Sequence, residues 1–164
     1  MLWLRLKLLL YVKTAILFKM NSWKKLSLFL VYVCLYTAQA NEFFRDDAQE
    51  VVVDKQGHLM WQDNNAARSN DLNFKNAKAY CENLDFATHK DWYLPKLNEL
   101  KSIVKAQNYP RSIVKAFKNV YPDYYWSSTE HSLEYAWIVL FIYEDSSYYH
   151  KTDPSYVRCV RKTP

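Results

Sequence analysis

The best candidates for metal-binding or catalytic residues lie in the short run "EHSLE", which contains Glu130, His131 and Glu134. Carboxylates and an imidazole are groups that bind divalent cations, so one hypothesis is an enzyme, or an enzyme accessory, with a metal at these residues. The four histidines of the chain show no paired spacing of the kind that zinc sites use. A solvated loop is therefore the favoured interpretation, and we predict neither a metal nor a cofactor.

The hydroxyls of Ser127, Ser128 and Thr129 are the other candidates for a reaction. A serine nucleophile commonly lies in a glycine-containing turn and works with a histidine that a carboxylate orients. Neither feature is evident here, because Gly57 is the single glycine and no histidine has an evident orienting carboxylate. We predict no catalytic residue and a protein that is not an enzyme.

Two tyrosine-rich runs, "YYWSST" and "SSYYH", are the candidates for binding. Trp126 is expected in the core, and the residues beside it alternate with it along a strand. Tyr124 or Tyr125 could then show a ring to solvent, and Tyr148 and Tyr149 could form an adaptable contact surface near a hairpin tip. Cross-strand packing is the competing interpretation of all four tyrosines.

The first 40 residues have the pattern of a secretory signal peptide. Read from Met20, which is an alternative start, they show Lys24 and Lys25, then the apolar run "LSLFLVYVCLY", then "AQA" at 38–40. The run is shorter than the roughly 17 to 25 residues that cross a bilayer, so no stable membrane anchor is expected. Export to the periplasm, the cell surface or the medium would leave residues 41–164 as a single domain.

The positive charge of the chain belongs to this leader. The whole chain has 22 basic and 17 acidic residues, and the leader holds six of the basic ones and no acid. The remaining 124 residues therefore carry a formal net charge of −1. That balance gives no support for nucleic-acid binding.

Two of the three cysteines, Cys81 and Cys159, remain after the leader that contains Cys34 is removed. An even number in an exported protein favours a disulfide over a redox pair or a metal site. The bond would close a loop of 78 residue steps, since 159 − 81 = 78. Loop entropy predicts that such a bond stabilises the fold by about 4 to 5 kcal/mol.

Periodicity predicts an α+β order of elements. A hairpin at 51–53 and 59–61 turns at Gly57, where the glycine is expected to supply a positive φ. Two or three helices follow: one with Asn73 as its cap, a second that begins near Leu97, and a shorter third that fits the segment after Ser112, with Ser112 as its cap. An antiparallel group of strands then occupies the rest of the chain: "YAWIVLFIY" as a central strand, a turn at "EDSS", the returning strand "YYHK", and "YVRCVRK".

Within the last strand, the guanidinium of Arg158 is expected to point away from Cys159 and to pair with a carboxylate. A structural ion pair is favoured over ligand binding. We therefore expect Arg158 to stabilise the fold.

Several motifs resemble, in order and spacing, those of the Lcl C-terminal domain family (DUF1566), which is named after a Legionella collagen-like adhesin. They are "VVVDKQGHLMWQD", "AKAYCENL", "DWYLPKLNEL", "YYWSST", "AWIVLF" and "VRCVR". The resemblance covers residues from about 50 to 162. The family is similar to C-type lectin-like domains, so it implies a compact lectin-like scaffold in which a first-helix cysteine bonds to one in the final strand.

The resemblance also implies a function. Glycosaminoglycan binding is known for the adhesin that names the family, and no reaction is established for the family at large. The expectation is an exported, adhesin-like module that binds a glycan or a protein through loops of its C-terminal half, between Tyr121 and His150. In "DWYLPK" this chain departs from the usual "DWRLPT", because Lys96 replaces a threonine that would cap the second helix. We expect a weaker cap there, with Glu99 left to help alone.

Overall fold

The computed structural model describes residues 42–108, 112–143 and 145–164, and the predicted leader lies outside them. Residues Glu42–Pro164 form one compact unit. Its strands are β1 (Phe43–Asp46), β2 (Val51–Asp54), β3 (Leu59–Gln62), β4 (Asp71–Leu72), β5 (Tyr124–Glu130), β6 (Tyr135–Leu140), β7 (Asp145–His150), β8 (Ser155–Tyr156) and β9 (Val160–Lys162). Its α-helices are α1 (Ala66–Ser69), α2 (Phe74–Glu82) and α3 (Leu97–Ser102), followed by a 3-10 turn at Ala106–Asn108. The α+β class is confirmed.

The strands form two sheets. One has four strands in the order β1, β2, β3, β9, and all its pairs are antiparallel. The other has five strands in the order β4, β8, β5, β6, β7. Its pairs are antiparallel except β5 and β8, which run parallel. The second sheet is therefore mixed, where the sequence predicted antiparallel strands throughout.

The turn between β2 and β3 does not use glycine as predicted. Gly57 has no positive φ, and His58 takes that conformation instead, with φ 51°. The Asp54 carboxylate accepts hydrogen bonds from the backbone N–H groups of Gln56 and Gly57, at 3.0 and 2.8 Å. A Cβ at position 57 would overlap the Asp54 Oδ2 atom. Glycine is needed here because a side chain folds over the backbone, and the prediction of a positive φ was wrong.

Helix α2 follows the predicted pattern. The Asn73 side chain accepts a hydrogen bond from the Asn76 backbone N–H, as an N-cap does. Phe74, Ala77 and Cys81 are the buried residues of the helix. The predicted cap is confirmed.

Helix α3 has more help at its start than the sequence indicated. The Glu99 carboxylate accepts from the Lys96 backbone N–H at 2.9 Å. In addition, Thr129 Oγ1 accepts from the Leu97 N–H at 3.0 Å. A hydroxyl on strand β5 therefore does the work of the missing local cap, and Glu99 does not act alone.

The predicted third helix near Ser112 is wrong. Ile113 instead forms an isolated antiparallel bridge with Val104. The Ser112 hydroxyl is buried and donates to the Ile142 carbonyl at 2.7 Å. The backbone of this segment finds its partners elsewhere in the fold, so its helix-like apolar spacing does not produce a helix.

The C-terminal strands also differ from the predicted bounds. Strand β6 ends at Leu140, and β7 begins at Asp145, so Ser146 and Ser147 lie in a strand and not in the predicted "EDSS" turn. Glu144 lies outside the described residues. The run "YVRCVRK" is divided into β8 and β9, and Arg158 and Cys159 lie between them.

Two buried clusters form the core. Leu100, Ile103, Tyr125, Val139 and Phe141 belong to the first, together with residues of β2, β3 and β9. The second cluster lies around helix α2 and strands β5 and β6. It contains Phe74, Ala77, Trp126, Ile138 and the two bonded cysteines.

Cys81 and Cys159 are joined in a disulfide, with their Cα atoms 5.4 Å apart. Both residues are fully buried. The predicted pairing is confirmed, and it fastens α2 to the residue that precedes β9.

In the described part of the chain, no helix has the length and apolar character needed to cross a bilayer.

Candidate functional site

A group of aromatic side chains lies together on one side of strands β6 and β7. The register pairs Tyr135 with His150 and Trp137 with Tyr148. Directly paired residues of antiparallel strands point to the same side of a sheet, so these four rings share one face. His131, from the turn between β5 and β6, joins them. We call this set of five residues the aromatic face.

Tyr148 is at the centre of the aromatic face. Its ring stacks on the His131 imidazole with centroids 4.1 Å apart and an interplanar angle of 11°. Tyr135 and Trp137 meet the same ring edge-on, at 5.7 and 6.0 Å. His150 completes the row, at 5.3 Å from Tyr135. The rings brace one another and so present a fixed surface.

The aromatic face is the open end of a strand face that is otherwise buried. Further along the same side of β6, Val139 and Phe141 are buried with Leu100 and Ile103 in the first core cluster. Nothing described covers the other end, so Tyr148 and Tyr135 stay exposed, with residue accessibilities of 47% and 37%. The same strand face is therefore core at one end and surface at the other.

Lys151 fixes the turn that carries His131. Its ammonium donates to Glu130 Oε2 at 2.6 Å and to the carbonyls of Ser132 and Leu133 at 2.9 and 2.8 Å. The hydrogen bond from Lys151 lowers the pKa of the Glu130 carboxyl. These three oxygens are bound to a cation of the protein itself.

The hypothesis of a metal at Glu130, His131 and Glu134 has little support in this geometry. The described residues contain no group of three or more His, Cys, Asp or Glu side chains that could hold a metal ion. Glu130 is paired with Lys151, and His131 stacks on Tyr148. Glu130 and His131 are therefore held in two separate interactions.

The four tyrosines predicted to bind a ligand are not brought together. Tyr125 is fully buried, so its ring does not reach solvent. Tyr124 and Tyr149 pack against the second core cluster, on the opposite side of the sheet from Tyr148, with ring centroids 4.9 Å apart. Burial raises the pKa of Tyr149. Only Tyr148 belongs to the aromatic face, and Trp126 is buried as expected.

The matching protein family spans both the aromatic face and the disulfide. The model of the Lcl C-terminal domain matches residues 50–161. The chain belongs to the Lcl C-terminal domain family. No curated protein matches the chain well enough to count as a relative.

The Lcl C-terminal domain of this chain is held together near Arg158 by a buried ion pair. Arg158 and Asp63 are both fully buried, and Arg158 Nη1 lies 2.9 Å from Asp63 Oδ1. The same carboxylate accepts from the backbone N–H groups of Lys118 and Asn119 at 2.8 and 3.0 Å. The predicted structural role of Arg158 is confirmed, and Asp63 also supplies partners to the backbone at residues 118 and 119.

Sequence reasoning missed most of the aromatic face. Tyr135 and Trp137 stand two residues apart in "YAWIV", a spacing that places them on one side of a strand. The run was interpreted as a strand covered on both faces, because its other residues are apolar. His150 follows Tyr148 by the same spacing, and that alternation was the available indication.

Proposed function

We propose that this Lcl C-terminal domain is an exported, non-enzymatic binding module that holds a glycan against its aromatic face. The observation that carries the proposal is the row of braced, solvent-exposed rings centred on Tyr148. An exposed aromatic ring suits the apolar face of a sugar ring, whose hydroxyls need polar groups at the edge.

The polar groups at the edge of the aromatic face fit this use. The hydroxyls of Tyr135 and Tyr148 belong to exposed rings, and the His150 Nδ1 atom lies 2.6 Å from the Thr152 hydroxyl. A sugar that lies across the rings would find donors and acceptors at their rim. Rings already packed together lose little freedom on binding, which favours affinity.

The environment of the reactive side chains supports binding without catalysis. Both cysteines that remain after the leader are joined to each other, so neither is a free thiol. The Ser127 hydroxyl is buried and accepts from the Thr129 N–H at 3.0 Å. Glu130 is held by Lys151. These side chains serve the fold.

Export and a lectin-like scaffold are parts of the same proposal. The predicted signal peptide at 1–40 lies outside the described residues, and the disulfide fits an oxidising compartment. The disulfide between α2 and the residue before β9 is the feature that supports the lectin-like part of the proposal. A glycan at the cell surface or in the periplasm is the proposed ligand.

A glycan array that includes glycosaminoglycans and cell-wall sugars tests the proposal. We expect binding that Tyr148→Ala and Trp137→Ala each abolish, with the disulfide and the circular dichroism spectrum unchanged. Tyr149→Ala is the matched control, because it removes the same side chain one residue away on the opposite side of the sheet, and binding should persist. Binding that survives both aromatic-face substitutions would contradict the proposal. If the domain binds no glycan on the array, a protein becomes the favoured ligand.

A further inference from the structure

Strand β7 is an edge of the five-stranded sheet and lacks lysine, proline and a β-bulge. It pairs with β6 on one side, and in the described part of the chain no strand pairs with its other side. Natural proteins protect such edges with lysine, proline or a β-bulge. The sequence "DSSYYH" contains no lysine or proline, and its register with β6 is continuous over six residue pairs.

The directions of the backbone groups along β7 follow from one hydrogen bond. The Lys151 N–H donates to the Glu134 carbonyl at 2.8 Å, which continues the β6–β7 register by one pair. Antiparallel ladders alternate between residues that bond to the neighbouring strand and residues that do not. The residues that bond to β6 are therefore 145, 147 and 149. The N–H and C=O groups of Ser146, Tyr148 and His150 point to the open edge.

Two of these six outward groups already have partners. The Ser146 N–H donates to its neighbour, Asp145 Oδ1, at 2.7 Å. The His150 carbonyl accepts from the Asp153 N–H at 2.9 Å. Four groups are left without a partner among the described residues: the Ser146 C=O, the Tyr148 N–H and C=O, and the His150 N–H. Unpaired strand groups of this kind are a template for another strand.

We infer that β7 pairs antiparallel with β7 of a second copy of this chain, in a register centred on Tyr148. The two Tyr148 residues then exchange both of their N–H and C=O groups. Each His150 N–H donates to the Ser146 C=O of the second copy. All four open groups of each copy are then hydrogen-bonded. The Ser146 N–H and the His150 C=O, which already have partners, face each other across the interface.

Other registers and other occupants fit less well. Along the strand, the open groups are the C=O of Ser146, both groups of Tyr148 and the N–H of His150. A register shifted by two residues in either direction would pair fewer of them. A second copy fits because this order is its own complement under a twofold axis. The same register places Asp145 opposite Lys151 of the second copy, but that ammonium is already bound to Glu130 and two backbone carbonyls. The pairing therefore depends on the backbone groups.

The pairing would extend the sheet from five strands to ten and keep both aromatic faces on one side. A twofold axis perpendicular to a sheet preserves its faces, so the two Tyr148 rings would become neighbours. This inference stands without the proposed glycan binding, since it depends on backbone groups.

Sedimentation of the disulfide-bonded protein over a range of concentrations tests the inference. We expect a monomer–dimer equilibrium that Tyr148→Pro weakens on the order of 30-fold, since each copy loses one N–H donor worth about 1 kcal/mol. Tyr148→Ala keeps that N–H and should remain dimeric. A monomer at all concentrations up to about 1 mM, or a dimer indifferent to Tyr148→Pro, would overturn the inference.

Amide exchange of the unmodified protein supplies a readout that needs no variant. Protection of the Tyr148 and His150 N–H groups should rise with protein concentration, while Ser146, bonded to Asp145, should exchange at a constant rate. Equal exchange of Tyr148 at every concentration contradicts the pairing. Dimer formation and glycan binding are measured in separate experiments. The failure of one proposal is therefore distinguishable from the failure of the other.

Discussion

Arg158 and Asp63 form an ion pair in which both side chains have 0% exposure, with Arg158 Nη1 2.9 Å from Asp63 Oδ1. The guanidinium also donates to the Gln62 carbonyl at 2.6 Å and lies over the Phe117 ring, 4.8 Å from its centroid. Burial lowers the pKa of Arg158. The pair connects the end of β3, the irregular segment near residue 117 and the approach to β9.

Removal of one member of this pair should be costly. Asp63→Asn keeps the shape but leaves a buried cation without its counter-ion, and we expect the free energy of unfolding to fall by about 3 to 5 kcal/mol. Urea unfolding measures the change. Lys90→Ala is the control, because its partner Asp85 is exposed and such pairs contribute at most about 1 kcal/mol. A loss of stability no larger for Asp63→Asn than for Lys90→Ala would contradict the role of the pair.

The disulfide should contribute a comparable amount. The bond joins residues 78 positions apart, and replacement of Cys81 and Cys159 by alanine should lower the free energy of unfolding by about 4 to 5 kcal/mol. Urea unfolding of the double variant beside the reduced and oxidised wild type separates loss of the bond from loss of packing. Mass spectrometry that finds two free thiols in the exported, unreduced protein would show that the bond does not form.

Gly57 should be required for space and not for its backbone conformation. Gly57→Ala places a Cβ against the Asp54 carboxylate, whose Cγ would lie 3.0 Å away, so we expect a loss of about 1 to 3 kcal/mol. In an Asp54→Ala background the same substitution should cost less, because the overlapping atoms are gone. A double-mutant cycle by urea unfolding measures the coupling. Equal costs in both backgrounds would place the strain in the backbone.

Lys151 should hold the Glu130 carboxylate in its charged form. The pKa of Glu130 is below its ordinary value because of the Lys151 hydrogen bond, and Lys151→Met should raise it towards that value. A depressed carboxyl pKa contributes stability above the ordinary pKa, and that contribution is lost as the pH falls through the lowered one. An NMR titration of the Glu130 side chain follows the change, with Lys90→Met as the control. An unchanged Glu130 pKa in Lys151→Met would show that the pair is not formed in solution.

Sequence patterns predicted the elements whose hydrogen-bond partners lie within a few residues along the chain. Helix α2 combines an apolar face with a cap three residues before its bonded N–H, at Asn73 and Asn76, and both can be read within one turn of sequence. The segment after Ser112 has similar apolar spacing, but its N–H groups at 118 and 119 bond to Asp63, more than 50 positions away. No local rule could foresee that partner.

The candidate site also combines contacts between residues that are near in sequence and contacts between residues that are far apart. Alternation along β5 placed Trp126 in the core correctly, yet it could not decide between Tyr124 and Tyr125, because both sides of the sheet are covered there. The aromatic face exists only through the register of β6 with β7, which brings Trp137 beside Tyr148. That register can be derived only when the position of the turn between the strands is known. The sequence predicted the turn at 144–147, whereas β7 already begins at Asp145.

The most direct test of glycan binding on the aromatic face is the indole N–H resonance of Trp137 during titration with a sugar that the array identifies. Trp137 lies edge-on to both Tyr148 and His131, whereas the Trp126 indole is buried and donates to the Leu72 carbonyl at 2.8 Å. We predict a saturable shift of the Trp137 indole resonance, with the Trp126 resonance unmoved. Saturable binding that leaves Trp137 unshifted would contradict this prediction.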